Sequence, residues 1–261
     1  MKSPLRDNLN FKSLSLLKEL IPRRSIISSF LFCSGALEVA LASDRRFVIA
    51  HTNKYVVYEF WNCISTDPKA IARRATKFYN ELLTEDESSF CPEKMFSSLQ
   101  ENWGKQKRSS IRAAYFFLLS RCSEERLPSS GKFNKKLFNP LSISTLKRYS
   151  CNNLHVQFDD EEDFMKALHT PEESDFLLFP VGKYSHNLFE HGKSRGHETT
   201  PVHHQEFYES LKEQHKKWIV LYKNHASVFD LYKDHNIIMV DQYGRKTSKK
   251  DKCEDIVIAN F

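Results

Sequence analysis

Glycine is the residue this chain most lacks: seven among 261. Enzymes that hold a nucleotide against their backbone use glycine where a side chain would block the approach or forbid the backbone angle. Any nucleotide-binding turn in this chain must therefore manage with few of them. Cysteines number six (Cys33, Cys63, Cys91, Cys122, Cys151, Cys253), and no two form a Cys-x-x-Cys pair. That spacing argues against zinc ribbons and thioredoxin chemistry and for reduced thiols in a cytoplasmic protein. No apolar run approaches the roughly 20 residues of a membrane-spanning helix. The first residues, with Lys2, Arg6 and Asp7, do not read as a signal peptide. Internal repeats are absent as well.

What is present suits a packed domain. Hydrophobic residues make up 40%, with 20 phenylalanines, and 261 residues are enough for one α/β domain with an inserted subdomain or for two small domains. The net charge of +6 permits nucleic-acid binding without demonstrating it. Its distribution is more informative. Between Gly104 and Lys136 nine Lys/Arg face only Glu124 and Glu125, and between Gly244 and Lys252 five basic residues face Asp251. Asp159 to Asp163 is an unbroken acidic run, expected to be a solvated helix cap.

The hydrophobic pattern alternates between two periods. A short helix over 12–21 stops at Pro22. Strands are expected at Ile26–Cys33 and Arg46–Ala50, with helices from Ala36 and Asn53. This rhythm points to a parallel α/β sheet. Residues 68–122 read as all helix, and a polar loop runs from Leu127 to Pro140. The α/β rhythm then returns, with strands at His155–Phe158, Asp175–Phe179, Trp218–Tyr222, Asn236–Val240 and Glu254–Asn260, and helices at Glu161–Leu168 and Pro201–Lys216. The expected organisation is an α/β domain of residues 1–65 and 151–261, interrupted by a helical, basic insertion over 66–150.

In this order, several segments resemble the Dam class of DNA adenine-N6 methyltransferases, phage members especially. They are SSFLFCSGALEVALASDRRFVIAHTN (Ser28 to Asn53), RAAYFFLLSRCSEERLPSSGKFNKKLFN (Arg112 to Asn139), DFLLFPVGKY (Asp175 to Tyr184) and YGRKTSKKDKCEDIVIANF (Tyr243 to Phe261). The resemblance covers most of the chain and implies a Rossmann-like methyltransferase sheet with an inserted target-recognition subdomain. It also implies duplex DNA as partner, with contacts from Arg112, Arg121, Arg126, the Gly131–Asn134 hairpin with Lys132, Phe133 and Asn134, Lys135, Lys136, and the basic run with Arg245, Lys246, Lys249 and Lys250.

The departures from the family pattern are specific. Its catalytic Asp-Pro-Pro-Tyr, whose acid holds the adenine amino group and whose tyrosine stacks on the flipped base, reads here Phe179, Pro180, Val181, Gly182. Tyr184, two residues on, remains able to stack. The cofactor turn reads Phe30, Leu31, Ser34, Gly35 and Ala36. The ribose-binding acid is His51, with Asn53 retained two positions later. Only Lys12 marks the family's N-terminal Gly-x-Lys signature. Each lost charge-assisted hydrogen bond contributes roughly 1.5–3 kcal/mol, so their joint loss implies no S-adenosylmethionine binding and no methyl transfer. The chain is then expected to be an inactive homologue that binds DNA, shields sites, or serves phage counter-defence or regulation. An active divergent methyltransferase using S-adenosylmethionine, with Glu190 or Glu198 as a substitute acid, and a protein-interaction module on the same fold are the alternatives. His186, His191, His197, His203 and His204 match no metal-ligand spacing, so no metal is expected, although His203 or His204 is placed to touch phosphate. Ser34 has no His/acid partner in the sequence and is a poor nucleophile candidate.

Overall fold

The computed structural model describes residues 1–7, 9–83, 91–123, 132–159, 173–185, 187–188 and 200–261. Arg126, Gly131, Glu190, Glu198, His186, His191, His197 and the expected helix over 161–168 lie outside these. Seven of the eight strands of the main sheet are β1 (Ile26–Ser29), β2 (Phe47–Thr52), β3 (Leu154–Phe158), β4 (Phe176–Gly182), β5 (Lys217–Lys223), β6 (Asn236–Asp241) and β7 (Cys253–Ala259). Their order is β3-β2-β1-β4-β5-β7-β6, with a short strand, Lys246–Thr247, beside β6. Neighbours from β3 to β5 pair in parallel, and β7 runs antiparallel to both β5 and β6. A sheet ordered 3-2-1-4-5-7-6, with only the seventh strand reversed, is the arrangement of Rossmann-like methyltransferases. The expected fold class is the observed one.

Alternation of side chains divides the core into two layers. From β4, Phe176 and Leu178 face one cluster while Leu177, Phe179 and Val181 face the other, and β5 and β7 divide in the same way. The first layer holds helices α1 (Leu14–Leu20), α2 (Ala36–Ala42) and α3 (Tyr55–Thr66). The second holds α8 (His204–Lys212) and α9 (Ala226–Leu231). Between α3 and β3 come α4 (Pro68–Leu83), α5 (Pro92–Lys105), α6 (Ser109–Cys122) and α7 (Pro140–Lys147). Helix α6 is apolar around most of its circumference, as a fully enclosed helix must be, and Phe116 meets Phe60 of α3 at 5.3 Å. The helices of the 66–150 segment therefore share one continuous core with the sheet. Among the described residues no helix is long and apolar enough to cross a membrane.

One boundary differs from expectation. Strand β1 ends at Ser29 instead of Cys33, because Leu31 turns into the left-handed region at φ 58°. The last strand inserts between β5 and β6 and pairs antiparallel with both. Its Asp255 is fully buried and holds the start of the chain. The carboxylate accepts from the backbone N–H groups of Lys12 and Ser13 and from Lys223 Nζ at 2.6 Å. Removing one partner of a buried ion pair costs about 3 kcal/mol or more, because the other charge is left uncompensated. Asp255→Ala should accordingly lower unfolding stability in urea by about 3 kcal/mol. The half-buried neighbour change Glu254→Ala, which removes a weaker contact to Lys223 at 3.4 Å, should cost less than about 1 kcal/mol. Equal small losses would show that Asp255 is not the anchor.

Candidate functional site: the crevice at the strand ends

In an open α/β sheet the binding crevice lies beyond the carboxyl ends of the strands, where the strand order reverses. Here that point falls between β1 and β4. The chain leaving β1 bridges it: Phe30 N–H donates to Leu178 O at 2.9 Å, and Phe32 N–H to His51 O at 3.0 Å. The ring of Phe30 is thereby held between the ends of two neighbouring strands. It stacks on His51 of β2 (centroids 4.6 Å apart, planes 12° apart) and on Phe179 of β4 (5.0 Å, 11°). Phe207 of α8 closes the far side, edge-on to Phe179 at 5.1 Å. The row continues the other way, since His51 Nδ1 lies 2.9 Å from Asp159 Oδ2 just past β3. Asp159, His51, Phe30 and Phe179 thus follow the strand order β3-β2-β1-β4. Phe30, His51 and Phe179 are buried, at 3%, 5% and 0% exposure.

The start of the chain lies over this row. Ser3 Oγ donates to Ser34 O, Ser34 Oγ donates to Asp7 Oδ1 at 3.3 Å, and Arg6 Nη1 donates to Ser123 O at 2.8 Å. Leu9 covers the end of β4, where a Cβ at Gly182 (φ 85°) would come within 2.5 Å of its Cδ2. Gly35 keeps the left-handed turn at φ 67°, but its open side faces the ring of Trp61, and Trp61 Nε1 donates to Cys33 O. Ser34 is bound to a carboxylate and has no histidine beside it among the contacts described. The residues present do not fit S-adenosylmethionine. The acid that would hold its ribose is a histidine paired with Asp159, and the space of the turn is occupied by rings. No step through that cofactor follows from this site.

At the end of β4, Phe179, Pro180, Val181 and Gly182 are all buried. Pro180 sits inside a central strand, tolerated because the register with β5 shifts between Pro180 and Gly182. Tyr184 does stack, but on this chain's own rings: His204 at 4.1 Å and His225 at 4.8 Å, both nearly parallel. His204, offered above as a phosphate contact, is corrected to a buried partner of Tyr222 OH and Ser185 O, each at 2.9 Å. His203 is exposed. Among the described residues there is no cluster of three potential metal ligands.

The expected DNA contacts divide. Phe133 is corrected to a core residue, 2% exposed and bridged to Ser123. Arg112 is tied to the buried Glu59 at 2.9 Å and lies over Trp103, and Arg121 Nε donates to Leu137 O. Asn134 caps the turn Lys135–Leu137 through Lys136 N–H. Lys132 pairs with Glu93 at 2.9 Å. Lys246 pairs with Glu19 at 3.1 Å, and Lys250 lies over Phe229. Lys135, Lys136, Arg245 and Lys249 are exposed. Sequence reasoning missed the His51–Asp159 pair, which joins positions 108 apart, although the acidic run supplied its one visible signal.

No protein-family model matches the chain. No curated protein matches it either. Among solved structures, it is similar to a chain in the crystal structure of a fibrillarin/NOP5P complex, with TM-score 0.36 and 11% identity over 97% of this chain and 82% of that one. So distant a likeness adds nothing to the strand order, on which the methyltransferase-like fold rests.

Beneath the row, Glu38 of α2 is buried and accepts from Ser29 Oγ at 2.9 Å. Burial, partly offset by its hydrogen bonds, raises its carboxyl from 4.5 to about 7. Between those values the folded chain holds a proton that the unfolded chain has lost, so stability falls as pH rises through this window. A shift of this size corresponds to roughly 3 kcal/mol above pH 7. Glu38→Gln should melt several degrees above the parent at pH 8 and close to it at pH 4.5. A gain independent of pH would refute the protonated Glu38.

Proposed function

We propose that this chain is a methyltransferase-fold protein that does not take S-adenosylmethionine and acts by binding duplex DNA. The observation that carries the first half is the stack of Phe30 between His51 and Phe179. It fills with protein the space a cofactor would need, and an aromatic pair adds about 0.5–1.5 kcal/mol beyond its buried area. A ligand entering there must break that stack and expose the rings. Tyr184, clasped by His204 and His225, similarly fills the place in which the Dam resemblance would put a flipped base.

DNA contact is supported by two exposed basic groups on the crevice side. Lys135 and Lys136 follow the Ser123–Phe133 bridge, which Arg6 ties to the segment over the crevice. Arg245 and Lys249 lie in the β6–β7 connection, whose Gly244 packs on Lys12 O. Such lysines and arginines bind through the phosphate backbone and counterion release, not base reading. The use this implies is occupancy: shielding sites from a nuclease or methylase, in phage counter-defence or in regulation.

Calorimetric titration with S-adenosylmethionine should give no heat. A fluorescent duplex should bind with an affinity that falls steeply with salt. Lys135→Ala/Lys136→Ala should reduce the slope of log K against log salt by about 2. Micromolar cofactor binding would refute the filled crevice. Failure to bind the duplex at low salt would remove the DNA half of the proposal and leave a protein-binding role.

A further inference from the structure

A groove of about 430 Å³ lies on the flank of the molecule, between α3 and β3, beside the first core layer. One face of α3 forms its far wall, with Tyr58, Asn62 and Ser65 at helical spacing. Every residue of β3, from Leu154 to Phe158, lines the near wall. Successive side chains of a strand point to opposite faces, so five consecutive lining residues mean that the groove meets the strand along its edge.

The backbone pairing agrees. Val48 N–H donates to Asn153 O, and Asp159 N–H donates to Thr52 O. In a parallel ladder each residue turns both its N–H and its C=O to the same side, and neighbours alternate. Residues 153, 155, 157 and 159 therefore bond to β2, while Val156 and Phe158 turn their backbone groups outward. Among the described residues no strand pairs with that edge. The floor of the groove adds a second observation. Tyr149 is 5% exposed and meets Trp61 edge-on at 5.6 Å, and among the described residues its hydroxyl makes no hydrogen bond. Burial pushes its phenol pKa up, which keeps it a neutral donor.

We propose that this groove binds an extended, uncharged peptide segment of a partner protein, which adds as a strand to the outer edge of β3 and sets one apolar side chain on Trp61 and Tyr149. Strand addition supplies main-chain hydrogen bonds for affinity and alternate side-chain pockets for selectivity. The lining decides the class of occupant. It contains no Lys, Arg, Asp or Glu, so nothing in it would hold the phosphates of a nucleic acid or a charged peptide. The amides of Asn62 and Gln157 and the Ser65 hydroxyl suit a polar backbone with neutral side chains. This inference is independent of the DNA-binding proposal, because none of the crevice-side lysines lines the groove.

The probes are four fluorescein-labelled heptapeptides in which threonine and valine alternate and the central residue is valine, leucine, phenylalanine or tryptophan. Fluorescence anisotropy should show binding by at least one, strongest with an aromatic centre. The same peptide N-methylated at alternate amides should lose at least tenfold in affinity, because one of its edges can no longer donate. Val156→Pro removes an outward N–H and leaves the β2 ladder intact, and it should weaken binding roughly tenfold. Tyr149→Phe keeps the packing, removes only the hydroxyl, and should weaken binding roughly fivefold. Unchanged melting by circular dichroism shows that each variant is folded, and Tyr149→Phe alone suffices if Val156→Pro is not. Silence from all four peptides would overturn the proposal. So would equal binding of the N-methylated form, or equal binding by both variants. Displacement of the peptide by a ten-nucleotide oligo-dT would overturn it in favour of nucleobase stacking.

Discussion

The stacking of Phe30 between His51 and Phe179 is the contact around which the upper end of the sheet is organised. Three rings from adjacent strand ends turn the natural opening of a doubly wound sheet into packed interior. Such a switch point is usually polar and solvated, because backbone groups at strand ends need a ligand or water. Here the chain supplies its own substitutes. Phe30 and Phe32 donate their backbone N–H groups to β4 and to His51. The imidazole of His51 finds a carboxylate in Asp159, so the one polar member of the row is satisfied within the protein.

Closing the crevice leaves a seam that the start of the chain covers, and it is fixed at both ends. Asp255, buried on β7, accepts two backbone N–H groups near Lys12 and the ammonium of Lys223. Arg6 and Ser3 bond to the chain on the other side of the crevice. The protein therefore has two distinct surfaces where a methyltransferase has one site: a basic rim above a sealed crevice, and a neutral groove along the outer strand. They differ in the physics of binding. In the proposed roles the rim would work through long-range charge and weaken with salt, whereas the groove would work through directional hydrogen bonds and apolar contact.

Much of the architecture was legible in the sequence. The alternation of helix and strand periods placed β1, β2, β4, β5 and β6 and the run of helices between α3 and β3, because burial on one face imprints its period directly on the sequence. The positions Phe30, His51, Phe179 and Gly182 were singled out through the resemblance, and the structure brings Phe30, His51 and Phe179 into one stack. Less legible was the fate of the basic insertion. Arg112 and Phe133 read as ligand contacts because a charge or a ring in a loop carries no mark of what it packs against. Arg112 is held by Glu59, 53 positions away, and Phe133 joined the core.

The sequence by itself determined the local elements and which residues stand at the positions of the resemblance, Phe30, His51 and Phe179 among them, since these depend on residue type and short-range periodicity. Tertiary structure alone decided that the crevice is filled and not merely altered. It also decided which lysines and arginines stay exposed and that β3 is an outer strand with its backbone turned outward. Each of these rests on contacts between residues far apart in the chain, whose partners are selected by strand order and packing and leave no trace in local composition.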